Sequence, residues 1–448
     1  MEQGLLGFAT LLIGLTAGRM PIELMVAHPV AQVRLVLDGR PVAEIGAPPW
    51  RTQIDFGAAP APHRLEAVGL DASGAEIARA VQWVNLPRPE AELELVLERD
   101  AAGRAVAARL AWTTARPVAP SAVRAVLDGE PLLDAGLERV LLPSSGGDGS
   151  HFLRVEVDFP GGKSAAKELA YGGVFAEASS SALTAIPVEV VSGRGAVAVD
   201  AVDASLTTGA KLKTAAVEKG SGRIVVVIDW SAVDPLRRAA QIGERRRRPT
   251  FIAGTSWGDV ESSCSWLARP LRSGDDEVLV FDPRPREVVR DASNSWLFTV
   301  GARSRTRVED FLGVLMRTDL AGFLTAGQAL TNAVGSAGLV AAAGGRRRAV
   351  VLILGESDPA SGDLGAANAR GFLERIDVPL RVWSPLAAVA ANRTVGWGLV
   401  EDVSTCKLLG RANKALVDSL ERQRVVWVEG EHMPHEVVVA SPRLVRAR

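Results

Sequence analysis

Residues 223–231 read RIVVVIDWS, and this stretch decides the fold of the second half of the chain. Its apolar, β-branched run is typical of a strand that is buried on both faces of a sheet. The run ends at Asp229, Trp230 and Ser231, which places polar groups where an open α/β sheet binds its ligands. The stretch therefore predicts the central strand of such a sheet, with a candidate site at its carboxyl end.

Strands and helices alternate from about residue 221 onward, and this order is typical of a parallel sheet covered on both faces. AVVLIL at 349–354 predicts a second buried strand. We therefore expect a doubly wound α/β domain from about residue 221 onward. The other predicted strands are 277–281, 379–383, 425–428 and 436–439, and the predicted helices are 260–271, 308–316, 326–342, 364–376 and 407–422.

The first half of the chain contains an internal repeat instead. VRLVLDGRPV at 33–42 recurs as VRAVLDGEPL at 123–132, and PHRLEAVGLD at 62–71 recurs as SHFLRVEVDF at 150–159. In each copy an Asp-Gly pair separates two short apolar runs, which is the sequence pattern of a β-hairpin turn. The repeat predicts two similar all-β sandwiches.

The spacing of the repeat sets the expected domain boundaries. We expect the sandwiches at 21–88 and 91–178, with Asp38 and Asp128 in equivalent turns. A β-rich connector at 179–222 would then lead into the α/β domain.

Residues 1–20 form an apolar N-terminal segment. GLLGFATLLIGLTAG at 4–18 has about the length of a signal-peptide core and is shorter than the roughly 20 residues of a membrane-spanning helix. No basic residue precedes this run, so a buried N-terminal helix is an equal alternative to a signal or anchor. Beyond this segment we expect no membrane span.

The composition excludes several functional classes. The 448 residues include 51 basic and 52 acidic side chains, so binding to nucleic acid through bulk positive charge is not expected. With 47% apolar residues, the chain is not expected to be disordered. Two cysteines and five histidines are too few for an array of structural zinc sites.

Motifs in the first copy of the repeat are similar to those of a known class of module. APPW at 47–50 and LDASG at 70–74 resemble the turn and the strand pair of bacterial immunoglobulin-like modules. The second copy has LLPS at 141–144 where the first has its Pro-Pro turn. The resemblance implies immunoglobulin-like sandwiches whose cores rest on apolar packing, because neither copy contains a cysteine.

The second half carries an ordered series of motifs: DWS at 229–231, TAGQALTNA at 325–333, RRAVVLIL at 347–354, VPLRVW at 378–383 and LERQRVVWVEGEHMPHEVVVA at 420–440. In this order and spacing, the motifs resemble a von Willebrand factor A domain, and the resemblance implies a doubly wound, Rossmann-like α/β domain over residues 223–440. The closing stretch is similar to the variant of this domain in acidobacterial secreted proteins. The sandwiches ahead of it suit the same multidomain family.

The resemblance implies a metal-ion-dependent adhesion site after the first strand. In the family this loop reads D-x-S-x-S and, with a distant Thr and Asp, holds a magnesium ion whose open position takes a carboxylate of a partner. Asp229, Ser231 and Thr325 match this pattern, whereas Val233 replaces the second Ser.

The segment after the fourth strand also departs from the family pattern. Where the family has T-D-G, this chain has LGE at 354–356, without the Asp. Because Mg²⁺ needs several well-placed oxygen ligands, we expect the site to be vestigial and empty, with no cofactor. The alternative is a weak or rearranged magnesium site to which Glu356 or Asp358 contributes.

A long loop beside this site is the expected partner-binding surface. Residues 232–258 exceed the usual passage from a first strand to a first helix, and long loops on a rigid scaffold are often functional. The basic run 346–348 directly precedes a buried strand, so we expect it to be solvated rather than to bind an acidic partner. The candidate partner-binding residues are Trp230, Arg245, Arg246, Arg247, Arg248 and Trp257.

The two cysteines fall on the predicted first and last helices of this domain. The family topology implies that these helices are parallel neighbours. Cys264 and Cys406 would then form a disulfide if their Cα atoms lie within roughly 7 Å. We favour two separate buried thiols over this disulfide.

We therefore expect a non-enzymatic protein that mediates protein–protein interaction or assembly in the bacterial envelope, secreted or periplasmic. The alternative is a cation-dependent adhesion receptor that binds an acidic partner through Mg²⁺ at Asp229, Ser231 and Thr325. Catalysis has little support, because GESD at 355–358 lacks the G-x-S-x-G pattern of a hydrolase. The expected partner is a protein and not a nucleic acid.

Overall fold

The computed structural model of the protein describes residues 5–447 with internal gaps. The residues outside this description are 1–4, 13, 88–90, 115–118, 134, 144–148, 161–162, 174, 181–182, 192–205, 210–211, 241–263, 265, 268, 285–297, 319–328, 357–363, 392–395, 442–443 and 448.

The first unit is a β-sandwich of two antiparallel sheets, in the strand orders β1-β2-β5 and β4-β3-β6-β7. The alternating sequence of β2 turns Met20, Ile22 and Leu24 into the core and leaves the residues between them exposed. The strands are β1 (Leu6–Phe8), β2 (Arg19–Val26), β3 (Gln32–Leu37), β4 (Arg40–Ile45), β5 (Arg51–Asp55), β6 (His63–Leu70) and β7 (Glu76–Val84).

The apolar N-terminal segment belongs to this sandwich, so the expected buried helix is wrong. Strand β1 pairs with β2, with Leu6 opposite Val26. Leu12 is buried in the core of the first sandwich, and Leu15 is buried in the core of the α/β domain. The described sandwich therefore begins at β1 rather than at residue 21. The apolar run is divided between the cores of two units.

The second unit is also a β-sandwich of two antiparallel sheets, in the orders β12-β9-β8 and β11-β10-β13-β14-β15. Its core includes the inward residues Leu153, Val155 and Val157 of β13, all fully buried. The strands are β8 (Ala91–Arg99), β9 (Ala105–Thr114), β10 (Ala122–Leu127), β11 (Glu130–Leu132), β12 (Arg139–Leu141), β13 (Ser150–Phe159), β14 (Lys163–Gly172) and β15 (Phe175–Ser180).

Asp38 and Asp128 occupy equivalent turns in the two sandwiches. Asp38 follows β3 with φ 51°, and Asp128 follows β10 with φ 53°. The Oδ2 atom of Asp38 lies 2.7 Å from Nδ1 of His63, and Oδ2 of Asp128 lies 2.7 Å from Nδ1 of His151. The internal repeat therefore reproduces a turn, its left-handed aspartate and a histidine partner across the sheet.

The segment expected as a connector builds a further sheet with the end of the chain. The order is β18-β25-β16-β27, all antiparallel, and β17 pairs with β26 beside it. The predicted strands 425–428 and 436–439 therefore lie outside the main α/β sheet. The strands are β16 (Leu183–Val190), β17 (Leu206–Thr207), β18 (Thr214–Glu218), β25 (Gln423–Glu429), β26 (Val438–Val439) and β27 (Leu444–Arg446).

A six-stranded sheet forms the centre of the α/β unit, in the order β21-β20-β19-β22-β23-β24. All neighbours run parallel except β21, which is antiparallel to β20. The strands are β19 (Gly222–Ile228), β20 (Asp276–Asp282), β21 (Thr299–Thr306), β22 (Arg347–Ile353), β23 (Leu380–Ser384) and β24 (Val400–Asp402).

Helices cover both faces of this sheet. Val226 points to the face covered by α1, α2 and α6, whereas Val225 points to the face covered by α3, α4 and α5. This division explains why β19 is apolar at every position from 224 to 228. The helices are α1 (Val233–Ala239), α2 (Phe311–Arg317), α3 (Leu330–Ala342), α4 (Ala366–Arg375), α5 (Ala387–Ala391) and α6 (Cys406–Arg422).

The helix expected at 260–271 is not formed at the residues of that range that the structure describes. Cys264 lies in a bend, residues 266–267 form a turn and residues 270–271 have no regular structure. The rest of the expected helix lies mostly outside the described residues. Within the described part of the chain, no helix is both long enough and apolar enough to cross a membrane.

Candidate functional site

The order of the six-stranded sheet places a crevice between β19 and β22. Counted along the α/β domain, the strands follow the order 3-2-1-4-5-6, so the connections diverge between strands 1 and 4. In open α/β sheets, ligands bind at the carboxyl ends of the strands at such a switch point. The loops there contain residues 229–232 after β19 and 354–356 after β22, and we call them the switch-point loops.

Asp229 joins the two switch-point loops. Its carboxylate accepts hydrogen bonds from the Ser231 amide at 3.1 Å, the Ser231 hydroxyl at 2.9 Å and the Gly355 amide at 3.0 Å. The Ser231 Oγ in turn accepts a hydrogen bond from the Glu356 amide at 2.7 Å. Asp229 is fully buried and caps the short 3-10 helix Trp230–Ala232. Its carboxylate therefore acts as an acceptor for backbone amides.

Gly355 brings the two loops into direct contact. A Cβ atom at this position would lie 2.1 Å from Ser231 Oγ and 2.5 Å from the Ala232 nitrogen. No side chain fits at such distances without moving backbone atoms. The carboxylate that the family carries in this segment therefore has no room at Gly355 in this arrangement.

Of the other positions considered for magnesium ligands, the structure describes Val233 and Glu356. Val233 is 1% exposed and packs in the core at the start of α1, which explains its apolar character. Glu356 is exposed, and Thr325 and Asp358 lie outside the described residues. Among the residues that the structure describes, no group of three or more His, Cys, Asp or Glu side chains could hold a metal ion.

Trp230 is the candidate partner-binding residue that the structure describes. It is 43% exposed, although Asp229 before it in the chain is fully buried. Arg245, Arg246, Arg247, Arg248 and Trp257 lie outside the described residues. Trp230 therefore presents an aromatic surface at the rim of the switch-point crevice.

The basic run 346–348 is buried, so the expected solvated surface is wrong. Arg346, Arg347 and Arg348 are 2%, 3% and 4% exposed. Arg346 forms an ion pair with Glu156 of the second sandwich, and Arg347 lies 3.2 Å from Asp276. The run is buried because the second sandwich and α6 pack over the start of β22.

This packing creates a charged interface between the second sandwich and the α/β domain. Arg154 of β13 donates to the Gly344 carbonyl at 2.7 Å and to Glu218 Oε1 at 2.8 Å. Its guanidinium also lies 5.8 Å from the centre of the Trp427 ring. We call the buried cluster of Arg154, Glu156, Glu168, Glu218 and Arg346 the Arg154 interface.

Two carboxyl groups of the Arg154 interface have opposite pKa shifts. Burial alone would raise the pKa of Glu156, but the charges of Arg346, Arg124, Arg154 and Arg305 outweigh it and lower this pKa to about 2. Burial raises the pKa of Glu168 to about 7, and the charge of Arg154 offsets this effect only in part. The interface therefore contains one carboxyl group that titrates near neutral pH.

The two cysteines form a disulfide, so the favoured expectation of two separate thiols is wrong. The Cα atoms of Cys264 and Cys406 lie 6.1 Å apart. Cys406 is the first residue of α6, and Cys264 is buried in the core that α6 covers. The disulfide thus ties the segment before β20 to the last helix of the domain.

The Arg154 interface was not predicted from the sequence. A weak signal was present, because charged residues alternate with apolar ones at 154–158 while three arginines at 346–348 span the start of β22. That pattern is also typical of a sheet face in water. The sequence contains no signal that residues 154–158 and 346–348 contact each other.

No family model and no curated protein matches this sequence. Among solved structures, the fibronectin(III)-like modules of Clostridium thermocellum CbhA are 10% identical with a TM-score of 0.16, covering 18% of this chain and 92% of that chain. The central fibronectin-III array of RIM-binding protein is 10% identical with a TM-score of 0.20, covering 37% and 69%. A β-glycosidase from Bacteroides vulgatus is 12% identical with a TM-score of 0.21, covering 38% and 25%. These similarities are too low to assign an activity or a ligand.

Proposed function

We propose that the protein is a non-enzymatic, multidomain protein of the bacterial envelope that mediates protein–protein interaction or assembly. In this proposal the α/β unit is a von Willebrand factor A domain with a vestigial metal-ion-dependent adhesion site. The sandwiches ahead of it are immunoglobulin-like modules. The ordered motifs of the second half and the switch point after the DWS motif support this assignment.

The closure of the switch-point loops is the observation that carries the proposal. Asp229 is buried and accepts hydrogen bonds from Ser231 and Gly355, and the loops touch where a metal ion would need oxygen ligands. Magnesium requires several oxygen atoms in near-octahedral array. A protein partner would therefore dock on the rim of this crevice without a bridging cation.

Trp230 is the proposed anchor of that docking surface. Half-exposed tryptophans are enriched among the residues that dominate protein–protein binding energy, because they bury a large apolar area and also have a polar N–H. The other candidates, the four arginines at 245–248 and Trp257, lie outside the described residues, and in the proposal the positive charge of the arginines favours an acidic partner.

The disulfide supports an extracytoplasmic location. Structural disulfides persist in oxidising compartments such as the periplasm and the extracellular space, and they are rare in the reducing cytosol. The link between Cys264 and Cys406 lies in the α/β unit, so this unit would mature after export. We therefore propose that the protein is secreted or periplasmic.

An affinity capture experiment tests the proposal. The full chain is immobilised and exposed to extract of the native envelope, once with Mg²⁺ and once with EDTA, and captured proteins are identified by mass spectrometry. We expect the same partner in both conditions. Trp230→Ala should lose the partner, whereas Leu399→Ala should retain it. Leu399 is a suitable control because it is 64% exposed and precedes β24, the edge strand three positions from β19 in the sheet.

Two results would contradict the proposal. Loss of the partner in EDTA would favour the alternative, a cation-dependent adhesion receptor that uses Asp229, Ser231 and Thr325. Equal capture by the wild type and by Trp230→Ala would exclude the rim of the crevice as the docking surface.

A further inference from the structure

A cleft of about 690 Å³ lies where the first sandwich, the sheet of β16 and β25, and the α/β unit meet. It is separate from the switch-point loops, because its lining residue Arg348 lies at the start of β22 and residues 354–356 follow the end of this strand. Its apolar lining includes Leu11, Val81, Leu86, Leu183 and Ile376. A volume of this size is typical of sites that hold small organic molecules.

Arg348 is the buried cation of this cleft. Its side chain lines the cleft although the residue is 4% exposed, and its Nη1 donates to the Ala342 carbonyl at 2.8 Å. The Nε atom is buried without a hydrogen-bond partner within the described chain. Among described residues, no acceptor is hydrogen-bonded to Nη2 either. Most of the hydrogen-bonding capacity of this guanidinium is therefore unused.

The charges around Arg348 leave it without a carboxylate of its own. Asp377 is the nearby acid, but it forms an ion pair with Arg446. Burial lowers the pKa of Arg348 to about 10; the charge of Asp377 opposes this shift in part, and the charges of Arg223 and Arg446 add to it. Arg348 therefore remains charged at neutral pH. An unpaired buried charge is unfavourable, and an anion that enters the cleft would compensate it.

The cleft is otherwise suited to an apolar body. Leu11 is 60% exposed and Val81 is 41% exposed, so both present apolar surface that a ligand could cover. Glu431 is exposed at the same cleft and adds negative charge, which disfavours ligands with several anionic groups. His432 also lines the cleft, and its Nε2 lies 2.9 Å from the Glu429 carbonyl.

We propose that this cleft binds an organic monocarboxylate with an apolar body, whose carboxylate pairs with Arg348. A guanidinium matches the planar geometry of a carboxylate and is weakly hydrated, so such a pair forms readily in a partly buried site. The apolar body would lie against Leu11 and Val81. This site is independent of the switch-point loops and of the proposed protein partner.

The test uses 2-naphthoate as the probe and neutral 2-naphthamide as its uncharged counterpart, with isothermal titration calorimetry on the full chain. We expect one naphthoate to bind per chain and the amide to bind at least tenfold more weakly. Arg348→Gln should weaken naphthoate binding at least tenfold, whereas Arg348→Lys should retain part of the affinity. Circular dichroism checks that each variant folds.

A second pair of variants tests the cleft independently of the folding of the Arg348 variants. Val81→Trp should fill the cleft and weaken naphthoate binding at least tenfold. Val42→Trp is the matched control, because Val42 is 44% exposed on the same sandwich and does not line the cleft. Equal binding of the acid and the amide, full binding to Val81→Trp, or no binding of naphthoate up to millimolar concentration would each overturn the proposal.

Discussion

The backbone amide of Gly355 donates a hydrogen bond to Oδ2 of Asp229 at 3.0 Å. This bond joins the carboxyl ends of strands β22 and β19, which are the two strands at the switch point of the sheet. Because Asp229 is fully buried, its charge is stabilised by hydrogen-bond donors of the protein rather than by water. The crevice at this switch point is therefore closed by contacts between the two switch-point loops.

Replacing Gly355 by Ala should destabilise this junction. The added Cβ would lie 2.1 Å from Ser231 Oγ, so the loops must separate and their hydrogen bonds to Asp229 must lengthen. We expect the free energy of unfolding in urea to fall by about 1–3 kcal/mol. Gly371→Ala is the matched control, because Gly371 lies in α4 with open space at its Cβ, and this change should raise stability by about 0.5–1 kcal/mol. Equal effects of the two variants would contradict the tight contact.

Glu168→Gln should change how stability depends on pH. The pKa of Glu168 is raised to about 7 in the folded protein, from an ordinary value of 4.5. The folded state thus binds this proton more tightly than the unfolded state, so protonation of Glu168 stabilises the fold. This stabilisation is complete below pH 4.5 and is lost as the pH rises through 7.

The wild type should therefore lose stability relative to Glu168→Gln between pH 5 and pH 8. Glutamine resembles the protonated acid and does not titrate, so the difference should change by about 3 kcal/mol at most. Chemical unfolding at several pH values measures this difference, with Glu130→Gln at the exposed start of β11 as the control. Parallel pH profiles of the wild type and Glu168→Gln would contradict the shifted pKa.

Replacing Glu156 should lower the free energy of unfolding more than replacing its ion-pair partner Arg346. Glu156→Gln removes the carboxylate that faces Arg346, Arg124 and Arg305, so we expect a loss of about 3–5 kcal/mol. Arg346→Met leaves Glu156 with the other two arginines and should cost less. Urea unfolding of both variants compares them, and a larger loss for Arg346→Met would contradict the charge balance described above.

Glu156 should also make the interface sensitive to acid. Its pKa is lowered to about 2, so its stabilising effect is present above the unfolded value of about 4.5 and is lost as the pH falls toward 2. The wild type should therefore lose more stability than Glu156→Gln between pH 5 and pH 2.5.

Reduction of the disulfide should lower stability strongly. Cys264 and Cys406 are 142 positions apart, and closing so long a loop restricts the unfolded chain by an amount equivalent to about 5 kcal/mol. Thermal unfolding with and without dithiothreitol measures the effect, and the Cys264→Ala, Cys406→Ala double variant should match the reduced protein. A protein whose unfolding is unaffected by reduction would contradict a structural role for the disulfide.

Local patterns in the sequence predicted the elements that depend on local chemistry. The apolar runs of β19 and β22, the Asp-Gly turns at Asp38 and Asp128 and the amphipathic helix α6 could all be read from periodicity and turn residues. Each of these signals arises within a few residues of chain.

The features that were not predicted from the sequence depend on contacts between distant segments. The basic run at 346–348 has the local pattern of a solvated segment, but Glu156 from another unit lies beside it and pairs with Arg346. Likewise, β25 follows α6 directly, but its partners β16 and β18 precede the α/β unit. The apolar N-terminal run gave no indication that Leu12 and Leu15 enter different cores.

Titration of the full chain with Mg²⁺ by isothermal calorimetry tests the central claim, that the switch-point crevice is closed by protein contacts and not by a cation. Asp229→Ala is measured in parallel. We predict that the wild type binds Mg²⁺ no more tightly than the millimolar range, because too few oxygen ligands are available at Asp229, Val233 and Gly355. Asp229→Ala should lower the free energy of unfolding by about 2–3 kcal/mol without changing this titration. Micromolar binding of Mg²⁺ by the wild type, abolished in Asp229→Ala, would contradict the account.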